Sequence, residues 1–335
     1  MRAAAVRIVC FAVLFFGGAG LQQAWATLPS PSQPILVIQD SNSTDPYQGY
    51  VPELLTTEGL NGFQTAQLSD LTSTFLANYD VVILPHLTLT AAQATLLQNY
   101  VSAGGTLVGF RPDLKLAGVF GVASLGTTLS EAWLKIDTTT PYASALDNTV
   151  MRFHGAADLY SRSSAVALAA LYNTSTVSTA SPAASINTFC TGTAILFSFD
   201  LTRSIVLMRQ GNPAWAGSPN NHDGYNTMRA SGMFMDKNSG QFWNDLGDSA
   251  LNDLPQADIQ LRLFSNLVSV TNSIKRPLPR FWYFPNQTRS MLLMTGDDHG
   301  FIPSEAQSEI NDITGLAVFS RTTSGTHSLP SAMPR

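Results

Sequence analysis

The stretches Tyr79-Asp80-Val81-Val82-Ile83-Leu84-Pro85 and Tyr100-Val101-Ser102-Ala103-Gly104-Gly105-Thr106-Leu107 decide the fold. The first holds an unbroken apolar run, the pattern of a strand covered on both faces. The second closes a helix over residues 90–102, in which Leu96, Leu97, Tyr100 and Val101 share a face and Gly104-Gly105 ends the element. Thr106-Leu107-Val108-Gly109-Phe110 then reads as the next strand. Strands alternating with helices predict a parallel sheet with helices on both faces.

Outward from this unit the pattern first repeats and then changes. Upstream, Ile35-Leu36-Val37-Ile38 is a strand ending at Gln39 and Asp40, and residues 50–58 read as a helix stopped by Gly59. Residues 63–68 alternate weakly, as a strand would, and Ser69-Asp70 is expected to cap a short helix through Leu76. Downstream of Gly121, short β-like runs such as Trp133-Leu134-Lys135-Ile136, Val150-Met151-Arg152-Phe153 and Ala165-Val166-Ala167-Leu168 lie between Thr, Ser, Pro and Asn. They predict an antiparallel β insertion over about residues 121–193. Ala194-Ile195-Leu196-Phe197-Ser198-Phe199 returns as a core strand, and residues 201–209 read as helical. Residues 210–254 form a long irregular segment rich in Asn, Gly, Asp and Trp, of a size that usually carries function or mobility. Residues 255–274 make an amphipathic helix, and Pro277, Pro279 and Pro285 mark a linker over 275–289.

Composition narrows the function classes. The chain has 335 residues, 44% hydrophobic and 12% charged, with a formal net charge of -5. That is ample material for a core, and the length prior allows about two domains. Lysine occurs only at 115, 135, 237 and 275, so a nucleic-acid partner is excluded. Arg2 and Arg7, the apolar run over residues 8–16 and Ala24-Trp25-Ala26 have the order of a secretory signal peptide, residues 1–26, followed by a linker at 27–34. The apolar run is shorter than the ~20 residues a membrane span needs. The expectation is a secreted or periplasmic protein with no membrane contact after cleavage. Cys10 would leave with the signal, making Cys190 the sole thiol; beside an apolar strand, it reads as a small buried hydrophobe rather than a nucleophile.

The run from Tyr79 to Pro85, with the helix ending in Ala103-Gly104-Gly105, resembles class I glutamine amidotransferase-like domains. It is most similar to the branch found as the trimerisation domain of some β-galactosidases. The resemblance covers roughly residues 34–120 plus the returning strand, and implies a flavodoxin-like fold for residues 35–274. In catalytic members of this family the strand after the helix ends in a sharp Gly-x-Cys-x-Gly turn. Here the matching stretch is Gly109-Phe110-Arg111-Pro112-Asp113, and a guanidinium cannot serve as the nucleophile. No glutamine hydrolysis is therefore expected. Arg111 would either bind an anion or sugar carboxylate or pair with Asp113 or another neighbour. His86 and Asp200 also stand at strand ends, where α/β sheets bind ligands, and each is open to a structural or a binding role. Gly247-Asp248-Ser249 and His222-Asp223 read as polar loop positions.

Near the C-terminus, Met291-Leu292-Leu293-Met294 delivers Thr295-Gly296-Asp297-Asp298-His299-Gly300 to the end of an apolar strand. Two adjacent carboxylates there point in different directions, so one can hold a metal while the other takes a proton. The stretch resembles the first motif of NodB-like polysaccharide deacetylases, Thr-Phe-Asp-Asp-Gly, with Gly296 in place of the aromatic and His299 inserted. By that likeness, in a full-length relative Asp297 would be the general base and Asp298 a ligand to a divalent metal, usually zinc, with His299 able to add a second ligand. This chain is expected to bind the metal weakly or not at all. The family's His-x-x-x-His motif is not found, since only His327 follows. Residues 290–335 thus read as the truncated start of a (β/α) barrel. The fold class expected is α/β: a mostly parallel sheet with an antiparallel β insertion, then this barrel stub. The function expected is that of a secreted carbohydrate-related protein with a carbohydrate substrate or ligand. It resembles a metal-dependent polysaccharide deacetylase, an activity expected of a full-length relative, while this chain is expected to be inactive as truncated. The alternative is a non-enzymatic carbohydrate-binding or oligomerisation module.

Overall fold

The apolar runs form the centre of one sheet because each is long enough to cross it and apolar on both faces. The structure, a computed structural model, describes residues 33–211, 254–281 and Asn311. The chain divides into two compact units, Met1–Phe281 and Trp282–Arg335, and of the second only Asn311 is described. In the first unit, β1 (Ile35–Gln39), β2 (Phe63–Gln67), β3 (Val81–Leu84), β4 (Thr106–Phe110) and β11 (Gly192–Phe197) run parallel in the order β2-β1-β3-β4-β11. This is the flavodoxin-like order, with the reversal of direction across the sheet falling between β1 and β3.

The two faces bury different residues of each strand, as a period of two requires. Ile35, Val37, Val81, Ile83, Val108, Phe110, Ile195 and Phe197 lie on one face. There they meet α1 (Val51–Thr57), α4 (Leu201–Gln210) and α5 (Gln256–Asn272). Leu36, Ile38, Val82, Leu84, Leu107 and Leu196 lie on the other, against α2 (Ser73–Leu76) and α3 (Ala91–Ser102). Phe110, Phe197 and Phe264 of α5 pack edge to face on the first side. Thr90 and Gln93 close a capping box on α3, the Thr90 hydroxyl accepting from Gln93 N and the Gln93 side chain from Thr90 N. The glycine pair after α3 is required by contact as well as by turning. Gly104 has φ 104, and a Cβ on Gly105 would fall 2.3 Å from the Tyr100 ring. The short helix α2 is capped by Thr72, not by Ser69-Asp70, whose residues close a separate turn.

Between β4 and β11 the chain makes the antiparallel insertion. It comprises β5 (Val122–Ser130), β6 (Trp133–Ile136), β7 (Met151–Arg152), β8 (Ala156–Arg162), β9 (Val166–Tyr172) and β10 (Ser178–Phe189). Strands β10, β9, β6 and β7 extend the main sheet beyond β11, and β5 pairs with β8 in a separate ribbon. The twelve-residue β10 has no apolar alternation and carries Pro182, which argues against an interior strand. It is accommodated by register shifts around Pro182 and by a left-handed Ala180, φ 65. Cys190 is exposed rather than buried, because it occupies the tight turn joining β10 to β11, at φ 52.

Residues 275–281, the start of the Pro-containing stretch, belong to the first unit and are tied down along it. Lys275 Nζ donates to the Gly104 and Asp80 carbonyls, Arg276 pairs with Asp80, and Arg280 pairs with Glu58. Phe281 N donates to Gly59 O at 2.9 Å, against a glycine held at φ 75.

Candidate functional site

The carboxyl ends of the parallel strands gather one cluster of polar side chains. The sharp turn after β4 is present, with Arg111 at φ 42, a conformation rare for a side chain of this size. Its guanidinium does not face Asp113. Nε and Nη2 both donate to Asp158 Oδ1 of β8, at 3.2 and 2.9 Å, and Arg111 N donates to Phe197 O. Asp113 instead pairs with Lys115 and accepts from Leu89 N at 2.9 Å. His86, after β3, places Nδ1 2.8 Å from the Arg111 carbonyl, so it ties two strand ends together.

Asp200 is 4% exposed and caps α4, accepting from Arg203 N at 3.1 Å. Burial pushes its carboxyl up to about 6. The Arg203 N–H opposes the shift, Asp45 adds to it, and the charges of His86 and Arg203 oppose it too. Tyr47 lies 5.3 Å from the Arg203 guanidinium, ring face to cation. The loop after β1 is locked by its own bonds. Gln48 exchanges two hydrogen bonds with the Asp40 main chain, and Gln67 accepts from Ser41 N. A carboxyl whose pKa burial raises to about 6, an imidazole and two arginines thus stand at the carboxyl ends of β3, β4 and β11, without a nucleophilic side chain among them.

A second polar cluster joins the insertion to the helices. Glu131, at φ 49, accepts from Gly155 N at 2.7 Å and lies 2.7 Å from His154 Nδ1. His154 is 1% exposed, and burial holds its pKa below the usual imidazole value, so the neutral ring donates Nδ1–H to the carboxylate. Ser204 completes a Ser, His and acid set only on paper. Its hydroxyl accepts from the His154 main-chain N–H and donates to Gln260 Oε1, both at 3.1 Å, and it is fully buried. Nucleophilic catalysis needs the hydroxyl on the ring nitrogen and open to substrate, so this cluster is a fastening. Gln256 and Gln260, one turn apart on α5, complete it by taking the Arg152 N and O at 2.7 Å each, which covers the exposed edge of β7.

The sequence therefore located Arg111, His86 and Asp200 but not Asp158, Tyr47, Arg203 or the Glu131–His154 pair. The i, i+4 glutamines on an otherwise apolar helix face were the one local signal for the second cluster. Asp297, Asp298 and His299 lie outside the described residues, as do Cys10, His222, Asp223, Gly247, Asp248, Ser249 and His327. Among the described residues no group of three or more His, Cys, Asp or Glu side chains could hold a metal ion, and no helix is long and apolar enough to cross a membrane.

No protein-family model matches the chain, and no curated protein matches it. Solved structures similar to it include a β-galactosidase from Bacillus circulans sp. alkalophilus, 15% identical over 56% of this chain and 33% of that one, with a TM-score of 0.41. A β-galactosidase from Rahnella sp. R3 is 16% identical over 74% of this chain and 32% of that one, with a TM-score of 0.44. Agd3, described as a novel carbohydrate deacetylase, is 19% identical over 52% of this chain and 30% of that one, with a TM-score of 0.39. The chain spans about a third of the length of each of these three proteins.

Proposed function

We propose that the chain is a carbohydrate-directed protein whose α/β unit binds and positions rather than reacts. The observation that carries the second half of this reading is Arg111. It stands at the sharp turn where the amidotransferase-like resemblance would put a cysteine, and Asp158 holds its side chain. An arginine has no nucleophilic form at physiological pH. The carbohydrate half rests on Thr295-Gly296-Asp297-Asp298-His299 and its likeness to the polysaccharide deacetylase motif.

A second, finer reading is favoured by the same motif: deacetylation of an acetylated glycan, with Asp297 as the proton-accepting base. Asp298 and His299 would hold the divalent metal, zinc by the chemistry of the resemblance, whose role is to activate the attacking water. Export by the N-terminal segment and assembly into oligomers belong to the same proposal.

The test has two arms. Ammonia release from glutamine is expected to stay at background, and release above it would overturn the binding role of the α/β unit. Acetate release from N-acetylglucosamine oligomers is then followed with added Zn²⁺. Zinc-dependent release that disappears in Asp297→Asn supports the deacetylase reading, release unchanged by that substitution removes Asp297 from it, and no release with or without zinc overturns it for this chain.

A further inference from the structure

The insertion leaves the outer side of β6 and β9 uncovered, and that side holds a groove. Leu134 and Ile136 of β6 and Leu168 and Leu171 of β9 point into the core. At the alternate positions Lys135 stands opposite Ala170 and Tyr172 opposite Trp133, whose own ring packs partly against the core, so Lys135 and Tyr172 are the side chains that face the groove. On this outer face lies an open groove of about 370 Å³, at the low end of the range of small-ligand sites, about 300–1,000 Å³. Ala167 and Ala170 keep its floor low, and Lys135, Asp137, Asn148 and Tyr172 supply its polar and aromatic lining.

Three features of the lining point to one ligand class. Tyr172 offers a half-buried ring with a polar tip, which suits a partner that is apolar on one face and hydroxylated at its rim. Asp137 is fixed in place: the Thr139 hydroxyl and N–H donate to its Oδ1 at 2.6 and 3.0 Å, leaving Oδ2 for a ligand. Lys135 and Asp137 are both exposed, and neither makes an ion pair among the described residues. One ammonium and one carboxylate at a shared groove balance in charge, so they select against a strongly charged ligand. Together with Asn148 they offer both donors and acceptors.

We propose that this groove binds a pyranose ring of an uncharged glycan, with Tyr172 as the platform for the ring and Lys135, Asp137 and Asn148 reading its hydroxyl or acetamido groups. The proposal rests on the carbohydrate-directed reading above and assigns it a place.

Calorimetric titration of the full chain tests it, with the hexasaccharides of N-acetylglucosamine and of β-1,4-glucose as neutral probes. Chitosan and polygalacturonate serve as cationic and anionic controls. The expected result is binding of at least one neutral probe, weakened about tenfold in Tyr172→Ala. Asp137→Asn and Lys135→Gln, at exposed positions that leave folding intact, should each weaken it about fivefold. A neutral probe that binds equally well to all three variants overturns the groove while leaving the carbohydrate-directed reading standing. Binding of the charged polymers alone overturns the assignment of an uncharged ligand. Failure of every probe to bind overturns the groove's ligand class, and the acetate assay above then judges the carbohydrate reading independently.

Discussion

The parallel and antiparallel halves of one sheet solve the same burial problem differently. In the half built from β1, β3, β4 and β11, helices cover both faces and nearly every strand side chain is buried. In the antiparallel half, β10 is still buried on both faces over residues 181–185, and only further out, along β6 and β9, does one side of the strands meet solvent. The first arrangement leaves no surface on the strands for a ligand, so polar chemistry is pushed to the strand ends. The second leaves a surface along the strands themselves. A sheet extended past its helical cover thus gains a binding face without disturbing the core that holds it.

The largest expected effect tests whether the doubly covered half is the structural anchor. Phe197→Ala removes a fully buried ring that packs against Phe110, Phe199 and Phe264, and should cost about 3–5 kcal/mol, read from the urea midpoint. A loss below about 1 kcal/mol would break the comparison.

Next comes the strand-end chemistry. Asp200 binds its proton more tightly folded, near pH 6, than in an unfolded chain, near 3.8. The folded state therefore holds the extra proton between these values. Its contribution to stability is fully present below the unfolded value and is lost as pH rises through about 6. Asp200→Asn keeps a good helix cap and removes the titration. It should stabilise the protein by up to about 3 kcal/mol at pH 7 and leave it nearly unchanged at pH 4. Denaturation curves at the two pH values check this, and an equal effect at both would show that the carboxyl is not buried as described.

A smaller effect is expected where the antiparallel half is fastened. Gln260→Ala strips partners from the Arg152 carbonyl and the Ser204 hydroxyl and should cost about 2 kcal/mol. Hydrogen exchange should show the loss concentrated at β7 and the start of β8. The smallest effect belongs to the open face, where Lys135→Ala should change stability by no more than about 0.5 kcal/mol. A larger change, measured by thermal unfolding, would mean that this face is structural.

The same contrast explains what could be read from the chain. The strands at Val81, Thr106 and Gly192 announce themselves because burial on both faces demands continuous apolar runs. In β10 the sequence Ser-Thr-Ala-Ser-Pro-Ala-Ala conceals a long strand, since its pairing depends on irregular register with β9 and not on its own pattern. Sites followed the same rule. Arg111, His86 and Asp200 were visible because each ends a legible strand. Their partners were not: Asp158 lies 47 positions from Arg111, and Gln256 lies 104 from Arg152. The groove is not legible in the sequence because Tyr172 joins Lys135 and Asp137 only through the β6–β9 pairing. Cys190 departs from the expected burial for a related reason, since a two-residue turn interrupts the apolar stretch and exposes what stands in it.

The seating of residues 275–281 also has a mechanical consequence. Tension applied to the chain beyond Phe281 would reach the Phe281–Gly59 main-chain bond first, then the Arg280–Glu58 pair, then Arg276–Asp80, before any load arrived at the end of α5. These attachments act in series along the chain, as stitches do along a seam. The helix that packs on the aromatic core is thereby strain-relieved, and whatever is tethered downstream can be pulled without that helix being the first element to give way.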